Sequence, residues 1–457
     1  MMKNSLLLSL CFLLCGCGES FLDVKSNRSD RMPNSIDDYQ ALMDNVYGVI
    51  HMNTSHLLGI VAGDEIAVDE AILPNFKPFH QRNTYLWVKE NFFEGEQSKD
   101  WNNGYRRILY CNQVLDGLKE FEPSPEDRDS YDQVQGSAYF FRALSYYQLA
   151  QLFCDVYSDA ASSQLGLPLR TEADITLNVK RADLQDTYDF IFQDLKMARE
   201  RLPEQPAMPT RPSKNAVDAF LARIYLQLGD YENAREHALR TLSKFQGDLL
   251  DYNLLVNDPN SFDLFVDYGF SHPEVILFTY MPAPEIATLG ILTASAELLE
   301  LYDDNDLRRD LFFRTFNDAP VFVGTYSGMG FPFTGFALDE IILILAECEA
   351  RIGNHEEALA YLNALKRKRY LPNIEDFYAD TRDAIMKEVL LERRRQLVFR
   401  GVRWEDIRRL NKERTYPVTI KKKNGAEWIT IEPNDTRYVF PLPENAVELG
   451  GLEQNPR

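Results

Sequence analysis

The sequence predicts a mainly α fold, a scaffold of helical hairpins carrying long irregular insertions and a few short strands. Three observations point to it. Apolar residues recur at helical spacing through most of the first half of the chain. Two distant segments repeat one alanine–glycine–alanine pattern. Between them, residues 245–337 lose all periodicity and become rich in proline, glycine, asparagine and aromatic residues.

Ser35-Ile36-Asp37-Asp38 has the form of a helix start, and Tyr39, Leu42, Met43, Val46 and Tyr47 continue it at helical spacing. A second helix is expected from about Lys99 to Phe121, with Tyr105, Ile108, Leu109, Asn112, Leu115 and Leu118 as its buried stripe. A third runs from about Asp127 to Phe153. Gly166-Leu167-Pro168-Leu169 reads as a short extended link, and Thr187 to Leu202 as a helix closed by Pro203. The repeated pattern follows. Ala222, Gly229 and Ala234 keep the same spacing as Ala346, Gly353 and Ala358. Small alanines let antiparallel helices approach, and a glycine in the left-handed conformation ends the first helix. The pattern resembles the turn of a tetratricopeptide hairpin, in two copies separated by unrelated sequence. Glu274 to Tyr280 suits a short strand, the chain is helical from Gly401 to Lys412, and Asn424-Gly425 suits the turn of a hairpin.

The N-terminus reads as a targeting segment. Lys3 precedes an apolar run, Leu6 to Leu14, which ends at Cys15-Gly16-Cys17. The run is shorter than the ~20 residues a membrane-spanning helix needs. Leu14-Cys15-Gly16-Cys17 resembles a bacterial lipobox. That resemblance implies cleavage after residue 16 and a diacylglycerol on Cys17, followed by a linker through residue 35. The expected organisation is therefore a signal peptide at 1–16, a lipidated linker at 17–35, and helical N-terminal (36–245) and C-terminal (246–457) regions forming one compact body.

A net charge of −21 excludes a nucleic-acid partner, because phosphate binding needs a basic surface. Cys111, Cys154 and Cys348 sit in apolar helical contexts that suit buried free thiols. No catalytic motif is present. In His355-Glu356-Glu357-Ala358 the second metal-binding histidine is replaced by Leu359, and Gly328-Met329-Gly330 fails the dinucleotide fingerprint. The acid pairs Asp64-Glu65 and Asp69-Glu70 leave a paired-carboxylate glycosidase open. Asp303-Asp304-Asn305-Asp306 is oxygen-rich but lacks a calcium-loop pattern. No cofactor is expected.

Aromatic residues are the better lead. Sugar rings present flat C–H faces on which aromatic side chains stack, and loops on a rigid scaffold are where binding groups sit. The stretches Phe76 to Phe93 and Phe316 to Phe336 fit. The candidate ligand-binding residues are Phe79, Tyr85, Trp87, Tyr280, Tyr326, Phe331 and Phe333.

A series of short motifs then resembles the SusD/RagB family of Bacteroidetes outer-membrane lipoproteins. They include Phe21-Leu22-Asp23, Tyr105-Arg106-Arg107-Ile108, Cys111-Asn112-Gln113-Val114-Leu115, the run from Gly136 to Ala143, Gly166-Leu167-Pro168-Leu169, Tyr188 with Asp194-Leu195, and Ser213-Lys214-Asn215-Ala216. The run from Glu392 to Leu410, Pro441-Leu442-Pro443 and the terminal Gln454-Asn455-Pro456-Arg457 complete the series in order. Gln396 and Arg400 depart from the family, which favours Glu at both positions. The resemblance implies a surface-exposed lipoprotein without enzymatic activity. It would bind oligosaccharide, or peptide in some branches, and act as the lid of a SusC-like TonB-dependent transporter. Asn112 and Arg142 read as structural polar residues between helices. Two other readings are a lipid-anchored scaffold that binds only protein, and a surface glycosidase.

Overall fold

The computed structural model describes residues 33–52, 56–287 and 292–457. The signal peptide, Cys17 and the Phe21-Leu22-Asp23 motif lie outside the described residues. Within them the chain begins with three short helices, α1 (Ile36–Met43), α2 (Leu57–Ala62) and α3 (Phe79–Tyr85), followed by the long pair α4 (Lys99–Leu118) and α5 (Arg128–Phe153). Strands β1 (Leu165–Pro168) and β2 (Arg181–Asp183) form an antiparallel pair leading into α6 (Leu184–Arg201). The first repeat is the hairpin α7 (Lys214–Leu228) and α8 (Tyr231–Lys244).

The insertion that follows holds β3 (Val275–Leu277), α9 (Ala296–Leu299), α10 (Arg308–Phe312), β4 (Phe313–Phe316), β5 (Ala319–Phe322) and β6 (Phe336–Ala337). Strand β3 pairs with β6 across the insertion, and β4 pairs with β5. The second repeat is α11 (Leu338–Ile352) and α12 (His355–Lys366), succeeded by α13 (Arg382–Gln396), α14 (Arg403–Lys412), the hairpin β7 (Ile420–Asn424) and β8 (Glu427–Ile431), and α15 (Glu444–Glu448).

Local chemistry explains the boundaries. Ser35, Ser98, Asp183, Ser213, Asp230 and Thr381 each accept a backbone N–H of the first turn they precede. Gly229 and Gly353 end α7 and α11 at φ 76° and 107°, the left-handed conformation that the repeated pattern requires. Ala222, Ala234, Ala346 and Ala358 are all fully buried, and α11 packs on both α8 and α12. Helices of the two halves therefore share their packing, and each fully buried leucine or isoleucine at these contacts contributes about 1.5–3 kcal/mol.

Three details differ from expectation. Helix α1 stops at Met43, so Tyr47 lies beyond it and is 71% exposed instead of continuing the buried stripe. In α4, Ile108, Asn112, Leu115 and Leu118 are buried as expected, but Tyr105 and Leu109 are only partly so. Gly104, Arg107, Cys111 and Val114 complete the interior face, because α5 and the first segments pack on that side. The hairpin pairs Asn424 with Glu427, so its turn is Gly425-Ala426, one residue later than expected.

Charged side chains hold the interior as much as apolar ones do. Asn112 accepts from Arg142, which grips Asp194 through two bonds of 2.8 Å; both residues are structural. Arg223 on α7 clasps Glu340 on α11 at 2.7 and 2.6 Å, with both side chains 1% exposed. Under the insertion, Arg308 pairs with Asp306 and Glu392, and Arg369 with Glu274. Gln396 sits between these pairs. It accepts from Arg308 and Arg369 and donates to Tyr326 and Asp339. A neutral amide suits that place because it both accepts and donates, whereas a carboxylate could only accept. Arg400, the other departure, pairs with Asp339 at 3.2 Å and lies 4.5 Å from the Phe333 ring centre.

The acid pair Asp64-Glu65 stands at the edge of this interior, with Asp64 partly exposed and Glu65 buried. Burial opposes ionisation of Asp64, but Arg403 and Arg394 outweigh it and hold its carboxyl well below the usual range. Glu65, 2% exposed, is pushed up to about 8 by burial and by the neighbouring Asp64 charge. The folded state then holds a proton that the unfolded chain releases above its ordinary carboxyl pKa of ~4.3. Stability from this group is full below that value and is lost as pH rises toward about 8. The melting temperature is expected to fall between about pH 5 and pH 8, and to fall less in Glu65→Gln, as a differential scanning calorimetry series would show.

Candidate ligand-binding surface

Three backbone segments meet beside the insertion. Tyr280 donates its N–H to the carbonyl of His51 at 3.1 Å, and Met281 donates to that of Pro332 at 3.0 Å. Tyr280 thus lies between Met52 on one side and Phe333 on the other. This places the Phe331 ring over Tyr280, with centroids 5.7 Å apart and planes 28° from parallel. Phe331 is 42% exposed while Tyr280 is 1% exposed, so one ring faces solvent and the other supports it. Burial chiefly, and the neighbouring Tyr47 secondarily, raise the Tyr280 phenol. Tyr47 and Phe331 are the exposed rings in this part of the molecule.

The support continues inward. Phe278 lies 5.8 Å from Tyr280 and 6.0 Å from Phe333, and Tyr326 lies 5.8 Å from Phe333. Tyr326 bonds Tyr252 and Asp339, and His272 stacks on it at 4.0 Å. The Phe331 ring is therefore anchored to the buried charge network, which fixes its orientation before any ligand arrives.

Polar groups follow along the chain. Glu285 is five residues on from Tyr280, so the two lie within about 18 Å of each other by chain length alone. Glu285 accepts from Gln81 and from Lys99, and Gln81 accepts from the N–H of Ile286 at 2.9 Å. Gln81 is on α3, whose first N–H groups, from Phe79 and His80, are held by Glu96 at 2.8 and 2.9 Å. Gln81 is itself 1% exposed and serves to position Glu285, so the groups that face solvent are the Glu285 carboxylate and the Lys99 ammonium. These two can hydrogen-bond hydroxyl and amide groups.

Of the seven candidate aromatics, the structure brings Tyr280, Phe331 and Phe333 together here, and only Phe331 faces outward. Phe79 is half-buried on α3, its ring covered by Lys77 and Arg82 at 5.2 and 4.8 Å. Four expectations of ligand contact need correction along with that of Tyr280. Tyr85 (5% exposed) lies under the Lys422 ammonium, and Trp87 (1%) donates its indole N–H to the Ala62 carbonyl. Tyr326 (2%) is spent in the charge network, and Phe333 (1%) fills the core beneath it. Each is interior because its segment packs against helices that the local sequence does not reveal. Tyr47 was missed because its spacing from Met43 imitates a continuing helix. The signal that could have found it is Gly48, which marks the chain as leaving the helix.

The acidic run 303–306 is committed to structure. Asp303 accepts from the Asn305 N–H, Asp304 pairs with Arg309, and Asp306 pairs with Arg308. Among the described residues no group of three or more metal-ligating side chains converges. Cys111, Cys154 and Cys348 are buried free thiols.

Comparison with known proteins gives this arrangement its setting. Residues 20–226 match a family described as "Starch-binding associating with outer membrane", and residues 328–457 match the SusD family. SusD-like protein P2 of Formosa agariphila is 25% identical, over 76% of this chain and 78% of its own. A SusD superfamily structure from Bacteroides thetaiotaomicron superposes with a TM-score of 0.74 at 19% identity, covering 93% of this chain and 100% of that one. A SusD-like carbohydrate binding protein from Bacteroides vulgatus gives 0.66 at 17% identity, covering 92% and 97%. The tetratricopeptide-like scaffold with its insertion is shared with these structures. The chain belongs to the SusD family.

Proposed function

We propose that this protein is a lipid-anchored receptor of the outer-membrane surface that binds a saccharide and delivers it to a SusC-like TonB-dependent transporter, for which it serves as a lid. The observation that carries the binding role is the exposed Phe331 ring, stacked on a buried aromatic ladder, with exposed Tyr47 near Tyr280 and the solvent-facing Glu285–Lys99 pair reached five residues along the chain from Tyr280. The printed descriptions of the matching family and of the Bacteroides vulgatus relative support a carbohydrate as the ligand. Family membership supports the outer-membrane setting and the transporter as partner.

The role is binding without chemistry. Glycoside hydrolysis uses two carboxyl groups facing one another across the scissile bond. On this surface the Glu285 carboxylate is instead held by Gln81 and Lys99; elsewhere Asp64 is clamped by Arg403 and Arg394, and Glu65 is buried. Capture by stacking and hydrogen bonding, followed by transfer to the channel, needs nothing more.

The test is a double variant, Tyr47→Ala with Phe331→Ala. Both side chains are exposed, so the melting temperature should stay within a degree or two. Affinity electrophoresis through gels containing soluble starch, xylan, mannan or β-glucan should show the wild type retarded by at least one of them. The double variant should bind that glycan at least about tenfold more weakly, a loss of roughly 1.4 kcal/mol or more. Undiminished retardation would remove this surface from the function.

A further inference from the structure

We propose a second saccharide-binding site, in the groove beside the C-terminal hairpin, with Trp428 as its stacking platform. It rests on the proposed function only for the class of ligand, and it shares no residue with the Tyr47 and Phe331 surface. Of the four tryptophans, Trp87, Trp101 and Trp404 are 1%, 7% and 2% exposed, while Trp428 is 56% exposed. Strand pairing accounts for this. Ile420 pairs with Ile431, and both are buried with Lys422 on the inward face. Alternation then turns Lys421, Lys423, Trp428 and Thr430 to the other face, with Trp428 directly opposite Lys423. The indole is held outward by the register of a hairpin whose other face is locked in the core.

The outward face borders a groove of about 570 Å³, lined by Trp428, Thr419, Thr430 and Lys421 from the hairpin and by Asp64, Glu297 and Arg394 from across it. The far wall is rigid. Asp64 is gripped by Arg403 at 2.9 and 2.7 Å and by Arg394 at 3.0 Å. Two carboxylates stand against two cations, Arg394 and Lys421, so the lining carries no net charge to select an ion. A phosphate or sulfate group would meet Asp64 and Glu297. What the groove offers is an apolar face of Trp428 with Val418 and Ile420, two hydroxyls, and paired charges that donate and accept hydrogen bonds. A neutral ring with an apolar face and a hydroxylated edge matches all three, and that describes a hexose or pentose unit of a glycan. Two separated sites on one molecule would let it hold a polysaccharide at two points, raising its hold on long chains over short ones.

The indole itself reports occupancy. The purified full-length chain is titrated with maltoheptaose, cellopentaose, mannopentaose and xylopentaose, and acrylamide quenching of tryptophan emission is measured at each saturation. With at least one of the four, quenching should fall at least twofold in the wild type and in the Tyr47→Ala, Phe331→Ala variant. The same saccharide should bind Glu297→Ala about tenfold more weakly by this signal, and Trp428→Ala should lose the protected component. Binding that leaves quenching unchanged, with wild-type affinity in Trp428→Ala, would overturn the second site while leaving the first. Binding of none of the saccharides by the wild type would overturn both. A blue shift on anionic phosphatidylglycerol vesicles, with no response to any saccharide, would assign Trp428 to a lipid surface and overturn the proposal.

Discussion

Arg308→Met should destabilise the folded protein by about 3–5 kcal/mol, the largest effect expected of any single substitution in the insertion. Arg308 is wholly buried, donates to both oxygens of Asp306 at 2.8 Å and to Gln396 at 2.9 Å, and forms an ion pair with Glu392 at 2.7 Å. Its loss would leave two carboxylates with no water and one fewer cation. Burial alone would raise the Glu392 carboxyl, and Arg308 is the leading cause of its net depression to about 2. Arg308→Lys should recover little, since one ammonium cannot reproduce a planar fork that meets three partners. Urea denaturation of the wild type, Arg308→Met and the double variant Arg308→Met, Asp306→Leu would check this. The double variant should be more stable than the single one, because replacing a buried ion pair whole costs less than stranding half of it.

Cys17→Ala should abolish membrane attachment. The expectation follows from Leu14-Cys15-Gly16-Cys17 at the end of the apolar run. No helix among the described residues is long and apolar enough to cross a membrane. Each buried methylene of an acyl chain contributes about 0.8 kcal/mol, so two or three chains hold a protein on a bilayer almost permanently and their removal releases it. In Triton X-114 partitioning the wild type should enter the detergent phase, and Cys17→Ala the aqueous phase. Retention of the variant in the detergent phase would contradict lipid anchoring at this residue.

The scaffold was legible in the sequence because its signals are local. Helical spacing, the capping serines and the glycines at 229 and 353 each act within a few residues, and both repeats stand where that pattern puts them. The candidate surface was legible only in part. Phe331 is found in the expected glycine-aromatic loop, but Tyr326 and Phe333, a few residues away, are buried by the β3 and β6 pairing and by Arg400, contacts remote in sequence. Aromatic content marks where rings are, while burial depends on what the fold brings over them. Tyr47 shows the reverse failure, an exposed ring hidden by helical spacing that the chain does not follow. Trp428 was readable in principle. Its place in the alternation Glu427-Trp428-Ile429-Thr430-Ile431 sets it opposite to the isoleucines that enter the core.

The most direct test of the account is isothermal titration of the purified protein with the oligosaccharide products of the glycan that retards it, followed by mass spectrometry of the recovered sugar. The account predicts saturable heat of binding in the wild type, loss of most of that heat in the Tyr47→Ala, Phe331→Ala variant, and recovery of the oligosaccharide intact. No binding to any glycan, or recovery of shortened products, would contradict it.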